Sequence, residues 1–308
     1  MLIRRGFEPG RDVKRGCVVA IGNFDGLHLG HQAILAALQA RGGEARLPTA
    51  VVCFEPHPRE YFAPAAAPAR LMRLRDKAVR LSEIGISELR VLRFAAELSD
   101  WDAGTFIERV LVAALGAKRV VIGEGFRFGR GRGGDVPLLR REGAARGFAV
   151  DEVPPHRVGD GPASSTRVRQ ALAAGRLDDA KALLGRNYRI SGRVIAGQRL
   201  GRRLGFPTAN IRLHRRVSPV AGIFAVRVSG AGVTSHPGIA SVGTRPTVGG
   251  KEWLLEAHLF DFHGELYRQR LDVDFVARLR DEIQYRDLEA MTAQMHDDAR
   301  AARKLLVA

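Results

Sequence analysis

Two histidines and several glycines stand between an apolar run and a helical pattern, in the segment Gly22-Asn23-Phe24-Asp25-Gly26-Leu27-His28-Leu29-Gly30-His31. Glycines allow backbone amides to close on a phosphate, and a helix N-terminus adds free N–H donors and a positive dipole end. His28 and His31 can reach the same anion, so the pattern indicates stabilisation of charge that develops on a nucleotide phosphate as pyrophosphate leaves. The alternative is a turn with two solvent-facing histidines, which their position around Gly30 at a strand-to-helix junction disfavours.

A hydroxyl and a carboxamide lie two residues apart in the second half of the chain, at Thr208 and Asn210, in a glycine-punctuated string that starts at Gly197. In an extended strand both side chains point to one face. Oxygen ligands of this kind suit a magnesium ion held between ATP phosphates. Taken without context, a Pro-Thr-Ala-Asn turn is usually structural, so the spacing alone leaves both interpretations open.

The first half of the chain alternates short β-branched runs with helical patterns. Strands are predicted at Cys17–Ile21, Thr49–Phe54, Leu89–Leu92, Arg119–Ile122 and Phe148–Val153. Helices are predicted at Gln32–Ala40, Leu71–Ile84, Asp102–Leu115 and Pro137–Arg146. Strands separated by single helices imply a doubly wound α/β fold with a parallel sheet, in which ligands bind at the carboxyl ends of the strands.

The pattern changes near Gly185, after two short predicted helices at Ser165–Ala174 and Leu177–Leu184. We therefore expect two domains, residues 1–185 and residues 186–308. Short alternating runs broken by glycine predict an antiparallel β-barrel in the second domain. Apolar residues at helical spacing predict a C-terminal helix packed on that barrel. The predicted strands and helix are Tyr188–Ile195, Phe224–Val228, Ser235–Val242, Leu254–Phe260, Leu271–Phe275 and Leu288–Leu306.

The composition is that of an ordinary globular protein, with 45% hydrophobic and 27% charged residues. A net charge of +16 raises nucleic-acid binding as a hypothesis. The excess is almost entirely arginine, without a dense basic block, and the basic tracts lack the interleaved aromatic residues of a single-strand binding platform. We therefore favour a basic surface that attracts polyanionic small substrates, and no nucleic-acid partner.

The N-terminus carries charge and is not followed by the apolar core of a signal peptide, and no segment approaches the ~20 apolar residues of a membrane span. These features predict a cytoplasmic protein with no membrane partner. Cys17 and Cys53 each lie in an apolar run, which favours buried thiols in strands over a disulfide framework or a metal site.

Motifs in both halves resemble those of the bacterial bifunctional riboflavin kinase and FAD synthetase (FMN adenylyltransferase) family. The segment that carries His28 and His31 is similar to the FAD synthetase branch of the nucleotidyltransferases, and the string from Gly197 to Asn210 resembles the riboflavin kinase signature. The resemblance implies that the C-terminal barrel phosphorylates riboflavin to FMN with ATP. It also implies that the N-terminal domain adenylylates FMN to FAD with ATP and releases pyrophosphate. Mg²⁺, ATP, riboflavin and FMN are the implied small-molecule partners, and the oligomeric state stays open.

The same resemblance implies roles for individual residues. Glu256 would accept the proton of the flavin ribityl hydroxyl, His28 and His31 would catalyse adenylyl transfer, and Thr208 and Asn210 would hold the metal. The implied nucleotide-binding residues are Gly22, Phe24, Asp25, Gly26, Ser164, Ser165, Thr166, Arg169, Gly205 and Pro207. The implied flavin-binding residues are Pro56, Pro58, Phe126, Phe128 and Arg280.

Structural alternatives accompany several of these assignments. The segment Phe54–Pro58 also suits a proline-stiffened turn, Ser164–Arg169 an N-cap, Glu256 an outward-facing strand residue and Arg280 a structural contact. Gly125 departs from the family, which commonly places Asp or Asn there, so a side-chain contact to the flavin or its phosphate is expected to be missing. Two other functions stay open: another adenylyltransferase with an unrelated barrel appended, and a basic RNA-binding module.

Overall fold

The computed structural model of the chain describes residues 1–10, 13–197, 201, 204–247 and 250–307. Two compact units are present. The first comprises Met1–Pro68 and Met72–Ser164, and the second comprises Ala69–Leu71 and Ser165–Ala308. The predicted division of the chain near Gly185, into domains of residues 1–185 and 186–308, stays a prediction. Among the described residues, no helix is long and apolar enough to cross a membrane.

The first unit is built on a six-stranded sheet in the order β1-β4-β3-β2-β5-β6, with every neighbouring pair parallel. Its strands are β1 (Leu2–Arg5), β2 (Cys17–Ile21), β3 (Thr49–Glu55), β4 (Glu88–Arg93), β5 (Ala117–Gly123) and β6 (Ala149–Val153). A separate antiparallel pair follows the sheet, β7 (Arg157–Val158) and β8 (Gly161–Pro162). The doubly wound parallel sheet is thereby confirmed. The sequence analysis missed β1, because Leu2 and Ile3 are half-exposed on an edge strand and carry no buried alternation.

The helices of the first unit largely follow the predicted pattern. They are α1 (Leu29–Ala45), α2 (Pro58–Phe62), α3 (Leu74–Ile84), α4 (Ala96–Asp100), α5 (Ala103–Phe106) and α6 (Val136–Arg146). The predicted helix Asp102–Leu115 is α5 followed by a π-helical segment, Ile107–Ala114. Leu71 was predicted to start the third helix, but α3 begins at Leu74, after Arg73 has taken an extended backbone conformation as its N-cap.

The order of the strands places β2 between β3 and β5, where the direction of chain progression across the sheet reverses. In parallel α/β sheets, ligands bind outside the carboxyl ends of the strands at this switch point. The segment from Gly22 to His31 follows the carboxyl end of β2 directly. Both cysteines lie in this sheet, and burial raises the pKa of the Cys17 thiol to about 12, in agreement with the prediction of buried thiols.

The second unit is built on a closed barrel in the order β10-β13-β12-β11-β14-β9, with every pair antiparallel. Its strands are β9 (Tyr188–Ile195), β10 (Ala209–Arg212), β11 (Gly222–Gly230), β12 (Val233–Thr247), β13 (Gly250–Leu259) and β14 (Arg270–Arg280). Its helices are α7 (Ser165–Ala173), α8 (Leu177–Leu184) and α9 (Leu288–Val307). The predicted barrel and C-terminal helix are confirmed, and the strand β10 was missed because it is only four residues long.

The two faces of the barrel strands have different partners. Ile211, Val242, Leu255 and Ala257 are fully buried or nearly so on one face. On the other face, Ile239 and Ala277 pack in a cluster against the α9 residues Ala299 and Ala302 and against Phe206. Because side chains alternate along a strand, the residues packed against α9 lie on the face opposite to that of Val242 and Leu255.

We predict that Gly192→Ala destabilises the second unit, because a Cβ at Gly192 in β9 would overlap the Cγ2 methyl of Ile211 in β10. Overpacking of this kind costs about 1–3 kcal/mol. Ile211→Ala removes the obstructing methyl, so the double variant should cost less than the sum of the two single variants. Thermal unfolding of the four proteins checks this, and additive losses would contradict the contact.

Candidate active sites

The loop after β2 turns through left-handed backbone at Phe24, Gly26 and Leu27, with φ of +48°, +87° and +46°. Such angles are uncommon for residues with a Cβ. Phe24 and Leu27 are only 1% and 2% exposed, and both belong to the hydrophobic core of the first unit. Burial of these two side chains therefore offsets the backbone strain and fixes the shape of the loop.

Polar contacts hold the same loop from several sides. The carboxylate of Asp25 accepts a hydrogen bond from the backbone N–H of Met72 at 2.9 Å. The ammonium of Lys77 donates to the backbone oxygen of Asn23 at 2.5 Å, and both Asp25 and Lys77 are buried. The side-chain amide of Gln32 donates to Leu27 O at 2.8 Å. Asp25 thus has a structural contact, and its nucleotide-binding role stays a prediction.

His28 and His31 lie together at the start of α1. His28 is the N-cap, and its Nδ1 accepts a hydrogen bond from the backbone N–H of His31 at 3.3 Å. The two rings stack with centroids 3.7 Å apart. A ring nitrogen that accepts carries no proton, so neutral His28 carries its proton on Nε2, which can donate to an anion. His28 is buried, which excludes a solvent-facing turn for this residue.

Gly30 allows this close arrangement of the histidine rings. A Cβ at Gly30 would lie 3.1 Å from the backbone oxygen of Ala163 and 3.2 Å from two atoms of the His28 ring. Contacts that short are tighter than carbon atoms normally make, so any larger residue would press on the imidazole. The absence of a Cβ between the two histidines therefore provides the space for this arrangement.

Aromatic rings form a connected series where β3, β4 and β5 end. Phe126 stacks on Phe128 at 5.5 Å, and Phe128 contacts Phe106 at 5.6 Å. The series continues to Phe54 at 6.3 Å and from there to Phe94 at 5.9 Å. Phe128 is buried in the core and Phe126 is half-buried, so of the two predicted flavin-binding phenylalanines Phe126 has more accessible surface.

The residues Pro56 and Pro58 occupy the connection from β3 to α2. Pro58 is the first residue of α2, and His57 caps the helix by accepting from Arg59 N at 3.1 Å. The segment therefore has the proline-stiffened turn that was given as the structural alternative. Both prolines are half-buried near the carboxyl end of β3. Gly125 has φ of +70°, a left-handed conformation that glycine adopts readily, with nothing within 4 Å of an added Cβ.

The serine-rich segment spans the end of the first unit and the start of the second. Ser164 is the last residue of the first unit, and Ser165 and Thr166 form the first turn of α7. The guanidinium of Arg169, on the same helix, donates to the backbone oxygen of Ala69 at 2.6 Å within the second unit. The predicted helix start is confirmed, and the contact with the nucleotide stays a prediction.

Three polar residues line up across neighbouring strands of the barrel. Asn210 in β10 is the register partner of Glu256 in β13, and Glu256 is also the partner of Ser241 in β12. Directly opposed residues of antiparallel strands place their side chains on the same face. Thr208 precedes Asn210 by two residues and lies on that face. The register therefore brings together the three residues predicted for the kinase site, and it adds Ser241.

Asn210 is buried in a recess beside Gly197. A Cβ at Gly197 would lie 2.6 Å from Asn210 Nδ2 and 3.0 Å from Asn210 Oδ1. Asn210 Nδ2 donates to the backbone oxygen of Thr208 at 3.3 Å, which leaves the carbonyl oxygen of the amide as an acceptor or metal ligand. Five residues of the string from Gly197 to Asn210 lie outside the described residues: Gln198, Arg199, Leu200, Arg202 and Arg203.

The turn before Thr208 is fixed by its neighbours. Gly205 has φ of +81°, and the N–H of buried Phe206 donates to Gly201 O at 2.7 Å. The backbone oxygen of Pro207 accepts from Nδ1 of His258 at 2.9 Å. Burial lowers the pKa of His258, so this ring is neutral near pH 7.

A cavity of about 570 Å³ opens beside this row of residues. Thr208, Ser241 and Glu256 line it together with apolar side chains from the barrel, from α9 and from the segment between β14 and α9. Its apolar lining residues are Phe206, Ile223, Ile239, Ala240, Ile283, Met291 and Met295. The cavity is large enough for a planar aromatic ligand, and its polar end carries a carboxylate that can accept a proton.

Among the described residues, two guanidinium groups line this cavity. Arg280 is held by Asp298 of α9, with Nη2–Oδ2 and Nε–Oδ1 distances of 2.5 and 2.9 Å, and it donates to Tyr285 Oη at 2.7 Å. This hydrogen bonding with Asp298 raises the pKa of Arg280. Arg280 thus makes the structural contact that was the alternative for this residue. It also lines the cavity, and its role in flavin binding stays a prediction.

Arg245 makes longer contacts, at 3.3 Å to Glu256 and 3.4 Å to Glu282. The sequence analysis assigned no role to Arg245 or His258, and for Glu282, two residues after Arg280 in the chain, it indicated only a flavin-site or structural contribution. Lys77 and Phe94 were also missed. Their positions in a helix and at the end of a strand look like ordinary packing until the fold brings them to the loop after β2 and to the aromatic series.

Both halves of the chain match models of known protein families. Residues 11–167 match FAD synthetase, and residues 184–306 match riboflavin kinase. The two matched regions occur in the predicted order, and residues 168–183 lie between them.

Similar proteins cover nearly the whole chain. Bifunctional riboflavin kinase/FMN adenylyltransferases of Pseudomonas fluorescens and Escherichia coli K12 are each 45% identical, over 99% and 94% of this chain and 98% and 93% of their own lengths. A crystal structure from Streptococcus pneumoniae, named a macrolide-efflux protein, aligns with a TM-score of 0.81 at 27% identity and covers 98% of this chain and 99% of its own. The chain therefore belongs to the bifunctional riboflavin kinase/FMN adenylyltransferase family.

Proposed function

We propose that Glu256 is the general base of riboflavin phosphorylation in the second unit, and that His28 and His31 stabilise the transition state of FMN adenylylation in the first. The observation that carries the kinase proposal is the cross-strand row of Asn210, Glu256 and Ser241 beside the cavity. The observation that carries the adenylylation proposal is the stacked histidine pair at the N-terminus of α1, at the switch point of the sheet.

Phosphorylation transfers the terminal phosphoryl group of ATP to the terminal ribityl hydroxyl of riboflavin. The hydroxyl oxygen attacks the γ-phosphorus, the bond from that phosphorus to the bridging oxygen breaks, and ADP leaves. Glu256 accepts the proton of the attacking hydroxyl. The apolar part of the cavity holds the isoalloxazine ring, which places the ribityl chain toward the polar end.

Thr208 and Asn210 fit the magnesium ion that accompanies ATP in this family. Both offer neutral oxygens, the absence of a Cβ at Gly197 lets the Asn210 amide pack beside it, and Glu256 lies opposite Asn210. The described residues contain no group of three or more His, Cys, Asp or Glu side chains that could hold a metal by itself. That fits an ion bound partly by substrate phosphates and water, which when bound neutralises charge on the phosphates.

Adenylylation joins the phosphate of FMN to the α-phosphate of ATP. A phosphate oxygen of FMN attacks the α-phosphorus and pyrophosphate leaves, with no covalent enzyme intermediate. Nε2 of His28 donates to the developing negative charge, and His31 stacks on His28 and fixes its orientation. The backbone of Gly22, Phe24 and Gly26 shapes the phosphate-binding loop.

The remaining assignments are extensions of this proposal. Ser164, Ser165, Thr166 and Arg169 bind the nucleotide of the adenylylation step, and Gly205 and Pro207 shape the nucleotide side of the kinase site. The aromatic series at the ends of β3 to β5, together with Pro56 and Pro58, binds the flavin of the first unit. The arginine-rich surface attracts these polyanionic substrates, and no nucleic acid is required.

We predict that the double variant His28→Ala, His31→Ala loses FAD formation from supplied FMN and keeps riboflavin phosphorylation. Removing one preorganised donor costs on the order of 100-fold in rate. Chromatographic separation of the flavins measures both steps in the full-length chain. His28→Asn separates two roles, since asparagine keeps an N-cap acceptor but lacks the imidazole. His156→Ala, an exposed histidine of the same unit, is the control. FAD formation at the parent rate by the double variant would exclude the assignment.

We predict that Glu256→Gln lowers the turnover of riboflavin phosphorylation by roughly 100-fold or more, the span for a positioned general base, while ATP and riboflavin still bind. Glutamine keeps the shape and hydrogen bonding of the side chain but does not accept the proton. Glu252→Gln is a matched control, because Glu252 lies four residues earlier on β13 and pairs with Arg212 outside the cavity. Equal loss of phosphorylation and adenylylation in a folded Glu256→Gln protein would contradict two separate sites.

We predict that Thr208→Ala and Asn210→Ala weaken magnesium-dependent ATP use in the kinase reaction, because each removes an oxygen ligand. Raising the magnesium concentration should partly restore these variants but not Glu256→Gln. Thr208→Ser keeps the hydroxyl and should behave like the parent. The measurement is the KM for ATP at several magnesium concentrations. A loss in Thr208→Ala that does not respond to magnesium would show that this oxygen acts in another way.

A further inference from the structure

We propose that Arg245 is a positioning residue of the kinase reaction, which fixes the carboxylate of Glu256 and is itself held by Glu282. The inference rests on the proposed role of Glu256 as general base. It adds two residues from separate elements, Arg245 in β12 and Glu282 in the segment after β14.

Arg245 bridges the two carboxylates directly. Its Nη2 contacts Glu256 Oε2 at 3.3 Å, and both of its terminal nitrogens contact Glu282 Oε1 at 3.4 Å. All three residues line the cavity. The three side chains are between 28% and 39% exposed. Packing alone therefore leaves them free to change conformation, and the bridge is the contact that restricts them.

The other guanidinium of the cavity does not compete for this position. Arg280 is engaged by Asp298 and Tyr285 at distances of 2.5–3.0 Å, shorter than the contacts of Arg245. Of the two arginines that line the cavity in the described part of the chain, Arg245 is the one that contacts Glu256. Arg245 is thus the residue whose charge and geometry act on the proposed base.

A glycine provides the space for the bridge. Ser241, Gly243 and Arg245 are two residues apart in β12, so they lie on the same face of the strand. A Cβ at Gly243 would overlap the carboxylate of Glu282. The absence of a side chain at Gly243 therefore lets Glu282 reach across β12 to Arg245. Any larger residue at this position would displace Glu282 and release one side of the bridge.

The charges explain why a bridge is needed. Glu256 and Glu282 are like charges in one cavity, and the phosphates of ATP bring more negative charge to the same end. Burial lowers the pKa of Arg245, but the two carboxylates outweigh this and raise it, so the guanidinium stays charged between them. With Arg245 in place, Glu256 is held in one orientation toward the ribityl hydroxyl, and positioning of this kind governs turnover.

The experiment compares full-length variants in the riboflavin kinase assay. Arg245→Ala should lower kcat by about 10-fold to 100-fold, the effect of misplacing a reacting group by about 1 Å. The KM values for ATP and riboflavin should change by less than about 3-fold, because uniform binding is not removed. Arg245→Lys keeps the charge and should recover part of the loss, as should methylguanidinium added to Arg245→Ala. FAD formation from supplied FMN should be unchanged in each variant.

Glu282→Gln tests whether Glu282 acts through Arg245. Alone it should lower kcat by about 3-fold to 10-fold, and in the Arg245→Ala background it should have no further effect, since coupled residues are not additive. Arg212→Ala is the matched control, because it removes an ion pair of 3.2 Å with Glu252 on the same barrel outside the cavity. Its kcat should equal that of the parent. Thermal unfolding identifies any variant that fails to fold, and Arg245→Lys and Glu282→Gln keep the test valid if Arg245→Ala is one of them.

The outcomes separate this inference from the proposed function. If Glu256→Gln keeps the parent kcat, the proposed base is wrong and the inference fails with it. If Glu256→Gln is impaired but folded Arg245→Ala and Arg245→Lys turn over like the parent, or change only the KM values, the base stands and the positioning role is overturned. Additive losses for Arg245→Ala and Glu282→Gln would also overturn it.

Discussion

The register between β10, β13 and β12 is the constraint on which the kinase site depends. Glu256 lies opposite Asn210 and Ser241, while its neighbours Leu255 and Ala257 are fully buried on the other face. A shift of one residue in either pair would exchange these faces and would place a carboxylate among apolar side chains. The hydrophobic alternation that builds the barrel core therefore also fixes the polar row, so the stability of the fold and the placement of the proposed site residues have the same cause.

A related coupling governs the first unit. The loop after β2 contains two left-handed residues with side chains, Phe24 and Leu27, and both are buried in the core. Backbone strain of this kind persists only where the surroundings determine it. Two buried polar contacts join this loop to the segment around α3, from Met72 N to Asp25 and from Lys77 to the backbone oxygen of Asn23. The position of the histidine pair therefore depends on residues far away in the sequence. These contacts define the shape of the loop that is proposed to bind phosphate, and a preorganised shape is what electrostatic stabilisation of a transition state requires.

Arginine performs both structural and site roles in this chain. Arg189 pairs with Asp272 and Asp274 across β9 and β14, and Arg280 fixes α9 to the barrel through Asp298. A planar guanidinium can satisfy two carboxylates at once, which lysine does less well. Arg245 uses the same capacity inside the cavity. The surplus of positive charge that remains, +16 over the chain, suits substrates that carry phosphates.

The sequence by itself determined the fold class of both units and the order of the two activities, and it supplied the histidine, threonine, asparagine and glutamate residues that are proposed for the sites. Periodicity and turn residues are local signals, and they are strong where strands are buried, as in β2 and β9. They were weak for the exposed edge strand β1 and the short strand β10. Only the tertiary structure decided that Glu256 meets Arg245 and that Glu282 reaches it past Gly243. Such contacts join residues from different strands and loops, and cross-strand register and side-chain clearance are not encoded in the spacing along one segment.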